Sequence, residues 1–343
     1  MILSICIPTY NRASYLINCL QSIIKSNLNS NYDIQVCISD NHSTDNTENI
    51  IKNAQPELNI KYSRNNSNLG IARNFLKVVS MADGDFVWII GDDDLLLPYS
   101  IERLCKLISD HPDVDFFYVN SFQLAAEYLD KFTRPFDTIN LPNNMERFSK
   151  NKNIGEMHFL ELIDPKVSFD FLGGVFLSVF RKSNWVANTS VLDENMLNDS
   201  RLFSNLDNTF PHVKIFAKAF SKSKAYFNDE PLNVCLSGVR EWSSMYPLVH
   251  SIRLIEALKE YRKNGLSYWR FIYCKNYALN NFIPEFIYIV THKKQSGYVY
   301  ISPIKIILRS VFYPNFYLSF FYFIGRRFKR GIKSIFNFQD NLL

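Results

Sequence analysis

The chain has 343 residues, a formal charge of +5 and 47% hydrophobic residues, enough for one large α/β domain with additions or for two domains. So modest a charge gives no reason to expect nucleic acid as a partner, and the six cysteines, with no C-x-x-C and no zinc-like histidine spacing, argue against a zinc site. The opening "MILSICIPTY" enters a strand at once without a basic region or cleavage site, so we expect no secretory signal and a cytoplasmic protein.

Through about residue 110 short apolar runs alternate with helical patterns, the signature of a parallel sheet with crossover helices. Strand one is Leu3 to Ile7, apolar on both faces, stopped by Pro8; a helix follows over Ala13 to Lys25. Strand two, "IQVCISD", ends at Asp40, and Asp45 with Glu48 reads as a capping box for the next helix. Cys6 and Cys37 fall in these two strands and read as small buried hydrophobes. Strand three is Ile60 to Arg64. Gly70 then permits a tight turn before a helix over Ile71 to Met81. Strand four is Phe86 to Ile90 and strand five Val114 to Asn120.

Strand four ends in Gly91 and three carboxylates, Asp92, Asp93 and Asp94, before a helix starting near Pro98. Two like charges about 5 Å apart at an effective dielectric of ~20 repel by roughly 3 kcal/mol, so such a turn wants a cation. Hard oxygen ligands favour Mg²⁺ or Mn²⁺ shared with a diphosphate. Ligands of open α/β sheets bind outside the carboxyl ends of the strands. Four such ends, Pro8 to Asn11, Asp40, Asn68 to Arg73 and Asp92 to Asp94, would gather there, with Tyr10 for stacking and Arg73 for phosphate, as a site for an activated nucleotide.

The motifs "CIPTYNRASYL", "ISDNHSTDNT", "NLGIARN" and "GDFVWIIGDDDLLLP" occur in the order found in family 2 glycosyltransferases, which the chain resembles over residues 3 to 105 and more weakly over the next hundred. The resemblance implies a Rossmann-like A-type α/β fold with a mixed, mainly parallel sheet. A donor half (1–120) and an acceptor half (121–245) would be followed by a helical, aromatic-rich extension (246–343). It also implies an inverting, metal-dependent enzyme that moves a sugar from a nucleotide diphosphate to an acceptor hydroxyl. Pro8, Thr9 and Tyr10 would border the donor nucleotide, Asp40 would bond the base, Arg73 would lie near base or diphosphate, and Asp92 would touch the ribose. Asp93 would hold Mn²⁺ or Mg²⁺, supported by Asp94. The family often reads "DDGS" and "LDADD" where this chain has "DNHS" and "IGDDD", with Asn41, His42 and Gly91 as the departures.

An inverting transferase needs a base for the acceptor hydroxyl. The family's Glu-Asp pair at a helix start is absent; the corresponding helix reads as Thr209 to Ser221, entered through "SNLDNTFPHV". Asp207 is the candidate base, or else an N-cap; His212 is the alternative base or a further metal ligand; Asp193, Glu194 and Asp199 stay open. "GGVFLSVFRKSNW", Gly173 to Trp185, resembles the strand under the acceptor pocket. "LSGVREWSSMY", after a short strand, resembles a mobile loop whose Arg240 and Trp242 would close over the sugars. Two other readings remain: a nucleotidyltransferase, although "PTYNRASY" lacks the expected glycines, and a catalytically silent nucleotide-sugar-binding or membrane scaffold protein, which the missing pair keeps open.

From His250 the pattern is helical to Gly265, and another aromatic helix runs to about Lys294. Tyr298 to Phe338 is apolar and aromatic, yet its uninterrupted piece, Ser310 to Gly325, falls short of the roughly 20 residues that span a bilayer. Its Tyr and Phe residues, with Arg326, Arg327, Lys329, Arg330 and Lys333, suit docking on the inner face of a membrane, where a lipid-linked glycan acceptor would present itself. The competing reading is a helix pair that dimerises or packs in the core.

Overall fold

The computed structural model describes residues 2–28, 30–238 and 243–325. In chain order it runs β1 (Leu3–Thr9), α1 (Ala13–Asn27), β2 (Ile34–Asp40), α2 (Thr47–Ala54), β3 (Ile60–Arg64), α3 (Ile71–Met81), β4 (Phe86–Ile89), β5 (Leu95–Leu96), α4 (Ser100–Asp110) and β6 (Phe116–Ala125). Then come β7 (Glu146–Arg147), β8 (Gly155–His158), β9 (Ser178–Arg181), α5 (Lys182–Val186), α6 (Glu194–Leu197), α7 (Leu206–Thr209), α8 (Pro211–Ala219) and β10 (Lys224–Ser237). The helices α9 (Tyr246–Leu248), α10 (Leu254–Lys263), α11 (Tyr268–Ala278), α12 (Phe282–Thr291) and α13 (Pro303–Ser310) close the sequence of named elements. A further helical stretch covers 314–325.

The strands form one mixed sheet in the order β3-β2-β1-β4-β9-β6-β10-β5, with β7 beside β6 and β8 beside β10. The expected α/β, mainly parallel architecture is therefore present. β3, β2, β1 and β4 are mutually parallel, as are β6 and β10, while β9 runs antiparallel between β4 and β6. Cys6 and Cys37 are cross-strand partners in the β1–β2 register, and all six cysteines are buried and free.

Both sheet faces are covered, which is why the central strands are apolar throughout. Alternation along β4 sends Phe86 and Trp88 into a core with Leu16, Ile23 and Leu104 from α1 and α4. Val87 and Ile89 enter the opposite core with Val78 and Val79 of α3, Val213 and Phe216 of α8, and Ala257, Leu258 and Tyr261 of α10. The helical part after 246 thus shares a core with the sheet.

Several local expectations change. Asp45 forms no reciprocal box with Glu48; it accepts from the backbone N–H and hydroxyl of Thr47 and from the Ala13 N–H, tying the starts of α2 and α1 together. The helix expected over Thr209 to Ser221 is α8, which starts at Pro211 because proline lacks a donor and fits only a first turn, and the short α7 precedes it. The strand ahead of "LSGVREWSSMY" is 14 residues long rather than short, because β10 pairs in succession with β8, β6 and β5. The single aromatic helix read to Lys294 is two, α11 and α12, joined through Leu279 and Phe282 in a small satellite core with Tyr313.

Candidate active site

A cleft of about 780 Å³ opens outside the carboxyl ends of β1, β2 and β4. One wall carries Pro8, Thr9, Tyr10, Arg12, Asn41, the 68–75 stretch, Gly91, Asp92 and Asp93; the other is residues 197–202 with Asn208. Strand ends thus bring together what sequence separation kept apart.

Two acids of the run share one cation from within the chain. Arg12 Nε lies 2.8 Å from Asp92 Oδ1 and its Nη2 lies 2.7 Å from Asp93 Oδ2, so one guanidinium spans both carboxylates. Thr9 donates its hydroxyl to Asp92 Oδ2 at 2.8 Å. Burial pushes the Asp92 carboxyl up to about 7, against the pull of Arg12. Burial opposes the charge of Arg12, yet Asp92 and Asp93 together raise its affinity for its proton. Asp94 is buried and turns back to accept from the Gly91 N–H at 2.7 Å. A Cβ at position 91 would meet Asp93 Oδ1 at 2.5 Å, so a larger residue there would displace the Asp93 carboxylate.

The neighbouring rim is an amide network. Asn41 donates to Asn68 Oδ1 and accepts from Asn65 and from the Leu69 N–H; Asn74 joins Ser39 to Asn65. Together with Gly70, at φ 81°, these residues fix the turn into α3. Asp40 is almost fully buried beneath this rim, accepting from the Ser43 N–H and the Tyr62 hydroxyl, and it does not line the cleft. Tyr10 does, with 44% of its surface exposed, as a stacking platform requires.

The facing wall is built from hydrogen bonds of its own. Arg73 crosses to it, pairing with Glu194 at 2.5 Å and donating to Asn198 Oδ1 at 2.6 Å. Asp199, on the cleft surface, takes a two-point contact from Arg201 and a bond from Ser204; hydrogen bonds from Arg201 and Ser204 hold its carboxyl well below the usual range. Asn205, not Asp207, caps α7, in a reciprocal box with Asn208. Buried Arg253, just before α10, donates to the carbonyls of Phe203 and Ser204 and holds this wall to the helical part.

The family 2 glycosyl transferase model matches residues 4–159. The abequosyltransferase RfbV of Salmonella typhimurium is 32% identical over 240 residues, covering 68% of this chain and 66% of that protein. The chain belongs to glycosyl transferase family 2. A GalNAc(5)-diNAcBac-PP-undecaprenol beta-1,3-glucosyltransferase of Campylobacter jejuni is 34% identical over 107 residues, 31% of this chain and 33% of that one. The chain therefore spans just under two thirds of the first of these relatives and about one third of the second. Among solved structures, S. aureus TarS 1-349 in complex with UDP-GlcNAc has the same fold, with a TM-score of 0.54 at 18% identity over 82% of this chain and 72% of that one.

Of the residues expected at a family 2 donor site, Pro8, Thr9, Tyr10, Arg73, Asp92 and Asp93 line the cleft, and Asp40 and Asp94 brace it from beneath. The two expected bases are not on its surface. Asp207 is 2% exposed, 2.7 Å from Lys214 Nζ, and accepts from the Asp193 N–H. His212 is buried between the rings of Phe210 and Phe216; burial depresses its pKa to about 4, and its Nε2 has no hydrogen-bond partner among the described residues. A helix entrance in the sequence does not reveal which side of the helix faces the cleft. Arg240 and Trp242 lie outside the described residues, as do the basic positions from 326 onward.

Arg12 is the cleft residue that motif reading passed over. Its signal was present: three carboxylates call for a cation, and this is the first cation after strand one. The asparagines of the 65–74 stretch also read as a loop, although amides with both donors and acceptors are what a polar rim requires.

Proposed function

We propose that this family 2 protein is a metal-dependent, inverting glycosyltransferase that moves a sugar from a nucleotide diphosphate sugar to an acceptor hydroxyl on a lipid-linked glycan during surface polysaccharide assembly. The observation that carries this reading is the single cleft in which Tyr10, the Arg12-bridged Asp92 and Asp93, and the facing Asp199 converge. The names of the relatives support it, one an abequosyltransferase and another acting on a polyprenyl-linked glycan.

The nucleoside end of the donor lies over Pro8 to Tyr10 and the Asn41–Asn68 rim, where amides offer edge contacts to a base. Mg²⁺-type sites use one or two carboxylates plus substrate phosphates, and Asp92 and Asp93 are two carboxylates on the cleft surface, although among the described residues no group of three or more His, Cys, Asp or Glu side chains is assembled. Asp93, with Asp92 beside it, would hold Mn²⁺ or Mg²⁺, which supplies charge neutralisation for the departing nucleotide diphosphate. Arg12 keeps both carboxylates aimed into the cleft. Asp199 replaces Asp207 and His212 as the assigned base because it faces the cleft and they do not; Asp207 and Asn208 are positioning residues for its loop.

The test is a thermal-shift and hydrolysis panel of UDP-, GDP-, dTDP- and CDP-sugars with Mn²⁺. Stabilisation and turnover by one nucleotide class is the expected result. Stabilisation without any turnover, even with glycan acceptors present, would favour the silent binding protein instead. No response to any donor overturns the proposal.

A further inference from the structure

A second groove of about 940 Å³ lies far along the chain from the donor cleft, between α11, α13 and the start of the 314–325 helix. Its walls are Tyr268, Trp269, Tyr273, Leu308, Phe312 and Tyr313. Apolar side chains normally leave water, yet Trp269 is 79% and Phe312 85% exposed. On α13 and the 314–325 helix, Ile304, Tyr317, Phe321 and Tyr322 are exposed as well. Isolated exposed apolar groups need no explanation; several large aromatics lining one groove, two of them more than three-quarters exposed, mark a surface that meets something.

The floor is cationic. Lys275 is nine-tenths buried, its ammonium 4.2 Å from the Tyr313 ring centroid and 2.9 Å from the Arg309 carbonyl oxygen. Arg309 sits on the rim beside it. Among the described residues neither cation forms an ion pair. Burial and the positive charges of Lys259 and Arg309 lower the Lys275 pKa to about 8, while Lys259 itself also faces Glu256 and Glu260 on α10. Two cations facing one groove without a carboxylate leave an anion unsupplied.

We infer that the α11–α13 groove is a docking site for the anionic headgroup face of a phospholipid bilayer, with Lys275 and Arg309 meeting headgroup phosphate and Trp269, Tyr273 and Phe312 entering the headgroup layer. Tyr and Trp suit that layer because each has an apolar body and a polar tip. No helix among the described residues is long and apolar enough to cross a membrane, so the contact lies in the interface plane. The inference deepens the proposed action on a lipid-linked acceptor and rests on that reading. It also moves the contact onto α11, upstream of the 298–338 stretch singled out by sequence.

The full chain is tested by flotation with phosphatidylcholine vesicles, with and without phosphatidylglycerol, and by quenching of tryptophan fluorescence with brominated lipid. Trp88 and Trp185 are buried, so Trp269 is the reporter among the described tryptophans. Binding that requires the anionic lipid, quenching reduced by Trp269→Phe, and flotation weakened about five-fold by Arg309→Ser are expected, the last because one cation at such a surface is worth about 1 kcal/mol. Trp269→Ser with Phe312→Ser, both at exposed positions, should abolish flotation while leaving the donor-induced thermal shift intact. That separates failure of the groove from failure of the transferase reading. Equal binding to neutral vesicles, inorganic phosphate alone protecting Trp269, or a change only in self-association on sedimentation would each overturn the inference.

Discussion

The rim formed by residues 8–94 and the wall formed by residues 193–214 both carry several carboxylates, and they use them in opposite ways. On the rim, Asp92 and Asp93 point into the cleft and share the guanidinium of Arg12. On the wall, Asp193 caps α6, Asp207 is sealed against Lys214, and only Asp199 faces the cleft. The difference teaches that an acid at a strand's carboxyl end is aimed by the sheet, whereas an acid near a short helix is as readily spent on that helix and its neighbours.

The largest effect should come from the rim. Asp93→Ala is expected to lower kcat/KM for donor turnover about 10³-fold, close to 4 kcal/mol of transition-state stabilisation, with little change in Tm. A comparable fall in Tm would instead make Asp93 a structural residue and erase the contrast. On the wall the order reverses. Lys214→Met leaves Asp207 buried without its partner and should cost about 3 kcal/mol of stability, read by urea unfolding. Asp199→Asn should cost about 10²-fold in turnover at nearly unchanged stability, the usual scale for a general base; equal turnover would remove Asp199 from the chemistry.

The smallest effect sharpens the reading of His212. Its folded pKa of about 4 lies below the ordinary value of 6.5, so between these values the unfolded chain binds a proton that the folded chain does not. Stability should therefore fall as pH falls through this window, by about 1 kcal/mol between pH 7.5 and 5.5. His212→Leu should flatten that component of the urea-unfolding profile. A pH slope unchanged by the substitution would mean that His212 is not the buried neutral group described.

Reading the sequence was most successful where one periodicity or one boundary settles the outcome. The apolar runs of β1, β2 and β4 can only be central strands, and their polar ends, Thr9 to Tyr10 and Asp92 to Asp93, must then meet at one edge. The wall was poorly legible because its geometry depends on the break at Pro211 and on Arg253, which reaches back about 50 residues to hold Phe203 and Ser204. No local pattern encodes such a contact.

The sequence by itself determined the α/β class, the succession of the first four strands along the chain, the family resemblance and which strand ends carry polar residues, because strand alternation and strand-end chemistry are local. Only the tertiary structure decided that Arg12 pairs with Asp92 and Asp93, that Asp40 lies beneath the cleft, and that Asp199 faces it while Asp207 and His212 do not. Those outcomes depend on which side chains reach one another across 81 residues in one case and on which helix face is buried in the others. Distance along the chain carries no information about either.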